Sequence, residues 1–515
     1  MTNRFPRLSI PVVTVTVALL LGSCSSDGDD AATTTTEPVE TETETTIAAA
    51  DDPRLDLRGP TEITGPIEGG QYGVPYAGMP EGWEEEYGYT EEEWFFSGDA
   101  VAYPTAEPLT SDGRWTVEPV SATEAYATRM IVRRPADPAD FNGTLVIEWL
   151  NVTAGRDSDP DFGYLAEELL TQGYAYAAVS AQKIGVEPGG LGLDIPNVPP
   201  EALYPLKEWD PERYGELSHP GDAWSYDIFT QAARALLDVD EEAPMRGLDA
   251  EHVIAAGESQ SAFRLATYVN AVQPVTEMFD GFLIHARGDG AADLGDDPSQ
   301  KPPAVVTIRD DIEVPVLQVE SETDLELLGF VAARQDDTDL LRTWEIAGAA
   351  HADQSTLDYA IQAGARWTDA DVDLSSSCGT INDGPQEPVM QAALAALRSW
   401  IADGTLPPSS PRLETDEAGA IVRDADGNAL GGIRTPAVDV PVATLSGTNT
   451  TPSVICSLFG STTPFSAAEL AERYGSSADY VEAVRASAEE AVAEGFLLER
   501  HVDEFVEAAE QVEIG

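Results

Sequence analysis

Apolar positions along this 515-residue chain fall into three regimes. One unbroken apolar run occupies residues 10–21, and a stretch with few large apolar residues follows at 25–58. From about 114 to 404, short apolar runs of strand length alternate with longer segments of helical period. Residues 126–134 and 144–150 read as strands, the second entered through a turn at Asn142 and Gly143. At 161–172, Phe162, Leu165, Ala166, Leu169 and Leu170 share one helical face, and Gly173 is the stop. The alternation continues with strand 174–181, helix 222–237, strand 252–256 and helix 261–272. Strands at 281–285, 314–319 and 340–347 follow, then a helix at 389–401 ended by Gly404. Strands alternating with helices predict an α/β fold whose mostly parallel central sheet is covered by helices on both faces. In such sheets function gathers at the carboxyl ends of the strands.

The flanks differ. Residues 60–113 predict leading strands and loops, and the stretches 183–220 and 288–311 interrupt the rhythm as insertions that are candidate lid segments. Beyond 404 the chain is turn-rich and ends in helices at 467–474, 478–494 and 502–511. Phe496 and Leu497 predict that this helical C-terminal extension packs on the main body. The expected division is therefore 60–404 for the α/β domain and 405–515 for the extension.

The run at 10–21 is too short to span a membrane, which takes about 20 residues, and suits the core of a signal peptide. Arg4 and Arg7 precede it, and Leu21-Gly22-Ser23-Cys24 follows in the manner of a bacterial lipobox, where the cysteine thiol receives a diacylglyceryl group. Residues 1–24 thus predict a lipoprotein signal peptide, and the missing Arg-Arg pair favours the general secretory route. Residues 25–59, rich in Thr and Glu, predict a disordered tether spanning roughly 30–35 Å on average. The expected location is extracytoplasmic, lipid-anchored to the bacterial cell membrane through Cys24. In that oxidising setting the even pair Cys378 and Cys456 predicts a disulfide.

A net charge of −64 repels phosphate backbones, which excludes nucleic acid as a partner class. The same field favours neutral or cationic small substrates. Candidate chemistry begins at Gly257-Glu258-Ser259-Gln260-Ser261, between a short apolar strand and a helix. This is the nucleophile-elbow arrangement, in which a serine on a strained turn needs small neighbours two positions away on each side. Ser261 stands where glycine is usual. A serine hydroxyl needs a base and an orienting carboxylate. In this architecture they follow in the order Ser, Asp or Glu, His. The loop after strand 314–319 carries Asp324, with Glu320 and Glu322 as rivals, and the loop after 340–347 carries His351 behind Gly348, Ala349 and Ala350. The backbone N–H of Gln260 is one expected oxyanion donor. The second falls to Asn151 or Val152 after strand 144–150, with the Asn151 side chain as a further option.

Three stretches carry a family resemblance: Glu148 to Val152, Gly257 to Ala262 and Glu345 to His351. With Asp426 to Pro436 and the Cys378 region, they resemble bacterial lipoproteins described as "alpha/beta hydrolase domain-containing", within the α/β-hydrolase superfamily. The resemblance covers about residues 60–515 and implies an α/β-hydrolase fold with nucleophile, acid and base at Ser259, Asp324 and His351. It says little about substrate. The expected activity is cleavage of a small carboxylic ester through an acyl-enzyme, with no cofactor and no metal site. The alternatives are amide, lactone or peptide substrates for the same triad, or a binding lipoprotein without turnover. Asp157, Asp159 and Asp161, just before a helix, are expected to cap it, and Asp424 to Asn428 reads as a plain turn.

Overall fold

The computed structural model describes residues 52–189, 198–370 and 372–514. The expected signal peptide, Cys24 and the expected tether up to residue 51 lie outside the described residues. Nine strands build the main sheet: β1 Glu62–Thr64, β2 Tyr89–Val101, β3 Thr123–Pro135, β4 Thr144–Trp149, β5 Ala175–Val179, β6 His252–Glu258, β7 Gly281–His285, β8 Val316–Glu320 and β9 Leu341–Glu345. They lie side by side in the order β1-β2-β3-β5-β4-β6-β7-β8-β9. β1 to β3 pair antiparallel, as does β3 with β5, while β5 through β9 run parallel. The chain leaves β4 to one side for β5 and returns to its other side with β6. This reversal opens a crevice at the carboxyl ends of β4 and β6.

Side-chain alternation explains the two-sided burial. Leu145, Ile147 and Trp149 of β4 face one core, with α2 Ser225–Leu236 and α3 Gln260–Thr267 over it. Val146 faces the other, under α1 Pro160–Thr171 and, later in the chain, α5 Gln386–Asp403. Each fully buried Leu, Val or Ile there stabilises the sheet by roughly 1.5–3 kcal/mol relative to exposure. The helix expected to run to 272 changes pitch after Thr267 into a wider turn, Tyr268–Val272.

Two details differ from the sequence reading. Residues 52–59 were expected to be tether, yet Pro53–Asp56 forms a 3₁₀ turn, Arg54 pairs with Asp280 at 2.9 Å, and Arg234 Nε donates to the Leu55 carbonyl at 3.0 Å. These anchors recruit the chain to the domain before residue 60. The extension after 404 belongs to the same compact unit as the sheet. Ile433 runs parallel to Ile346 just beyond β9, giving its N–H to Glu345 O at 2.7 Å and accepting from Ala347 N at 3.0 Å. Glu345 also binds Arg334 and the Leu413 N–H, so the extension is fastened along the last strand. Helices α7 Ala467–Tyr474, α8 Ser477–Glu494 and α9 Glu499–Glu510 complete it, with Phe496 edge-on to Trp344 at 5.2 Å. The second difference is that the acidic run before α1 does not cap it. Asp159 makes no capping bond, and Glu148 of β4 instead accepts from the N–H groups of Asp161 and Phe162. Asp157 and Asp159 are drawn away by Arg129 and Arg133 of β3, at 3.0 and 2.8 Å, and Asp161 by His285 Nδ1 at 2.8 Å. A buried arginine outcompetes a helix terminus for a carboxylate because its charge has no water to solvate it.

Cys378 and Cys456 are disulfide-bonded. Among the described residues no helix is long and apolar enough to cross a membrane.

Candidate active site

Ser259 sits between β6 and α3 with φ 57° and ψ −117°, a strained conformation for a non-glycine residue. Its N–H donates to the His285 carbonyl at 2.9 Å, and its own carbonyl accepts from Phe263 N at 3.2 Å. These bonds hold the hydroxyl clear of the sheet end. A Cβ at Gly257 would lie 3.0 Å from Leu265 Cδ1 and 3.1 Å from Ser261 Cβ, so the elbow needs glycine there. Ser261 is fully buried, which is why only a small residue fits its place.

Asp324 and His351 come from the segments that follow β8 and β9. His351 Nε2 lies 2.8 Å from Ser259 Oγ, and His351 Nδ1 lies 2.6 Å from Asp324 Oδ1. With the proton on Nδ1, the ring donates to Asp324 and accepts from the Ser259 hydroxyl. The other oxygen of Asp324 accepts from Ser321 N at 2.6 Å and Ser321 Oγ at 2.7 Å, inside a capping box that fixes the carboxylate. Neither rival bonds His351: Glu322 binds Gly348 N, Gly447 N and Arg423, while Glu320 is buried without a hydrogen-bond partner. Burial pushes the Glu320 carboxyl well above the usual range.

Glu258, the variable residue of the elbow, was not singled out in the sequence. Its Oε1 lies 3.2 Å from His351 Nε2, and its Oε2 accepts from Asn151 Nδ2 at 2.8 Å. Burial pushes the Glu258 carboxyl up to about 7 against the pull of His351. Burial pulls the imidazole of His351 down, but the carboxylates of Glu258 and Asp324 outweigh it and hold the ring up at about 9. The only sequence signal was the position itself, since the residue before the nucleophile ends its strand beside it.

The expected oxyanion donors divide. The Gln260 N–H lies in the first turn of α3, where the helix offers no carbonyl to accept it. Asn151 is not available. Its N–H donates to Ser158 O at 2.9 Å, and its side-chain amide gives both hydrogens to Glu258, at 3.1 Å to O and 2.8 Å to Oε2. The adjacent Val152 N–H has no acceptor among the described residues.

Ser259, His351 and Glu258 open onto a cavity of about 310 Å³. Its walls include Tyr76 and Ala77, the loop carrying Arg156, α4 Gln354–Gly364, Trp367, Val372 and Leu374, residues of 198–203 in the first insertion, and α6 Val454–Leu458. The Cys378–Cys456 bond joins the ends of two of these walls. The first insertion thus supplies a wall, as a lid segment would. The second, 288–311, does not line the cavity and packs beside α3, with Ala292 N donating to Phe263 O. Among the described residues no group of three or more His, Cys, Asp or Glu side chains is disposed to hold a metal ion.

A family model described as "Alpha/beta hydrolase domain" matches residues 63–507. Similar solved structures include the esterase Est22, 12% identical over 55% of this chain and 80% of that one, with a TM-score of 0.30. A serine hydrolase without a lid from Xanthomonas campestris is 13% identical over 53% of this chain and 97% of its own, with a TM-score of 0.26. A fungal esterase from Rhizomucor miehei is 12% identical over 63% and 86%, with a TM-score of 0.28. No curated protein matches the chain.

Proposed function

The chain belongs to the alpha/beta hydrolase family, and on that premise we propose that it is a serine hydrolase cleaving a small carboxylic ester. The observation that carries this reading is the unbroken contact chain from Ser259 Oγ through His351 to Asp324, opening on a cavity. Ser259 Oγ attacks the ester carbonyl carbon as His351 Nε2 takes its proton, and Asp324 steadies the imidazolium through Nδ1. The N–H groups of Gln260 and Val152 face the charge that develops on the carbonyl oxygen. The tetrahedral intermediate collapses, His351 returns the proton to the departing alkoxide, and an acyl-Ser259 remains. Water then attacks the acyl carbon, giving one proton to His351, and the acid leaves as Ser259 recovers that proton. An ester is favoured over an amide because an alcohol leaves more readily than an amine.

The enzyme is further proposed to act outside the cytoplasm, held to the membrane by lipid on Cys24. The decisive experiment is labelling with a fluorophosphonate probe beside turnover of a short 4-nitrophenyl ester. Both are expected in the native protein and both are lost in Ser259→Ala. A folded protein that neither labels nor turns over overturns the reading and favours the binding lipoprotein.

A further inference from the structure

Whole-chain charge argues for neutral or cationic substrates, yet the only Arg or Lys among the described residues lining the cavity stands beside the nucleophile's pocket without a carboxylate partner. Arg156 is half-buried in the wall. Its Nη1 donates to the Asp157 carbonyl at 3.0 Å, and its guanidinium lies 5.8 Å from the Tyr76 ring centre. Its Nε is buried with no acceptor. The acids around it are committed elsewhere: Asp157 to Arg129, Asp159 to Arg133 and Glu258 to Asn151. Most arginines of this acid-rich chain find a carboxylate, so one left with open donors in a substrate cavity is an exception that calls for a ligand.

We propose that Arg156 is a carboxylate subsite, and that the substrate ester carries a carboxylate which this guanidinium receives. The inference rests on Ser259 being the nucleophile of the same cavity. A planar guanidinium matches a carboxylate with two parallel N–H donors, and partial exclusion of water strengthens that pair. A single carboxylate suits the wall better than a phosphate dianion, because Glu258 and Asp159 share it with only one cation. The −64 field acts on every anion that approaches, whereas contact with one unpaired guanidinium acts on the bound ester alone.

The test compares two ester pairs on the detergent-solubilised full chain. 4-Nitrophenyl glutarate against 4-nitrophenyl pentanoate puts the charge on the acyl side, and 4-acetoxybenzoate against phenyl acetate puts it on the leaving group. Wild type is expected to prefer the anion in at least one pair. Arg156→Gln is expected to lower kcat/KM for that anion roughly 10- to 100-fold more than for its neutral partner, with part of the loss restored in Arg156→Lys. Calorimetric binding of the same esters to Ser259→Ala, with and without Arg156→Gln, reads the subsite without turnover. An anion preference in binding that disappears with Arg156 upholds the subsite even if no ester is hydrolysed, in which case the hydrolase reading alone fails. No anion preference in either pair, or equal losses for charged and neutral esters, overturns the proposal.

Discussion

Glu258 places Oε1 3.2 Å from His351 Nε2, the same ring nitrogen that faces the Ser259 hydroxyl at 2.8 Å. The imidazole and a second carboxylate therefore share one proton position, and their titrations belong to the pair. With His351 held up at about 9, the form able to accept the serine proton grows as pH rises through that region. Activity is expected to climb into the alkaline range. Glu258→Gln removes one of the two carboxylates that hold the ring protonated, so the ascending limb of kcat/KM moves to lower pH. Rates recorded from about pH 6 to pH 10 check this; a limb unmoved by the substitution separates Glu258 from the base.

Stability should fall as pH rises. His351 is raised from 6.5 to about 9, so the folded state holds its proton more tightly than the unfolded state, and that contribution is lost as pH climbs through about 9. Glu258 and Asp353, both pushed up to about 7 mainly by burial, have the same sign over the lower window between 4 and 7. Melting temperatures are expected to decline from mildly acidic to alkaline buffer. A maximum on the alkaline side contradicts the assignment.

At the elbow, Gly257→Val is expected to abolish esterase activity and lower the yield of folded protein. Even the first added carbon meets Leu265 at 3.0 Å and Ser261 at 3.1 Å, and overpacking of this kind costs about 1–3 kcal/mol. Gly257→Ala should fold with a lower melting temperature and reduced kcat. Equal melting curves for glycine and valine variants contradict the crowding.

The disulfide closes a sequence separation of 78 residues, which on a chain-entropy basis stabilises the fold by roughly 4 kcal/mol. Its partners flank Leu374 and Ile455 in the cavity wall. Cys378→Ser with Cys456→Ser is expected to raise KM more than it lowers kcat, because the wall loosens while the Ser259–His351–Asp324 contacts stay. A kcat loss as large as the KM change argues against that separation.

Cys24→Ser is expected to abolish incorporation of labelled fatty acid and move the protein from membrane to soluble fractions. Continued membrane retention of the unlabelled variant points to another means of attachment.

The legible parts of this sequence were those carried by local pattern. The strands at 281–285 and the helix at 467–474 occur where their periodicity placed them, and Ser259, Asp324 and His351, picked out by their order along the chain, lie in contact. What escaped depended on partners far away in the chain. Nothing near Asp157 or Asp159 announces that Arg129 and Arg133 lie beneath them, so capping was the natural local reading. Asn151 looked free to donate until Glu258, 107 residues later, claimed its amide. The two insertions have similar loop chemistry, and only packing decided that 198–203 walls the cavity while 288–311 does not.

Ile433 occupies the hydrogen-bonding side of the sheet just past β9. A parallel sheet left bare at that border offers N–H and C=O groups to any other extended chain, the usual route to edge-on self-association. The residues after 404 thus keep neighbouring molecules from stacking border to border, a service owed to crowding rather than to chemistry. A shortened chain that retained Ser259, Asp324 and His351 is expected to expose that border and to self-associate along it.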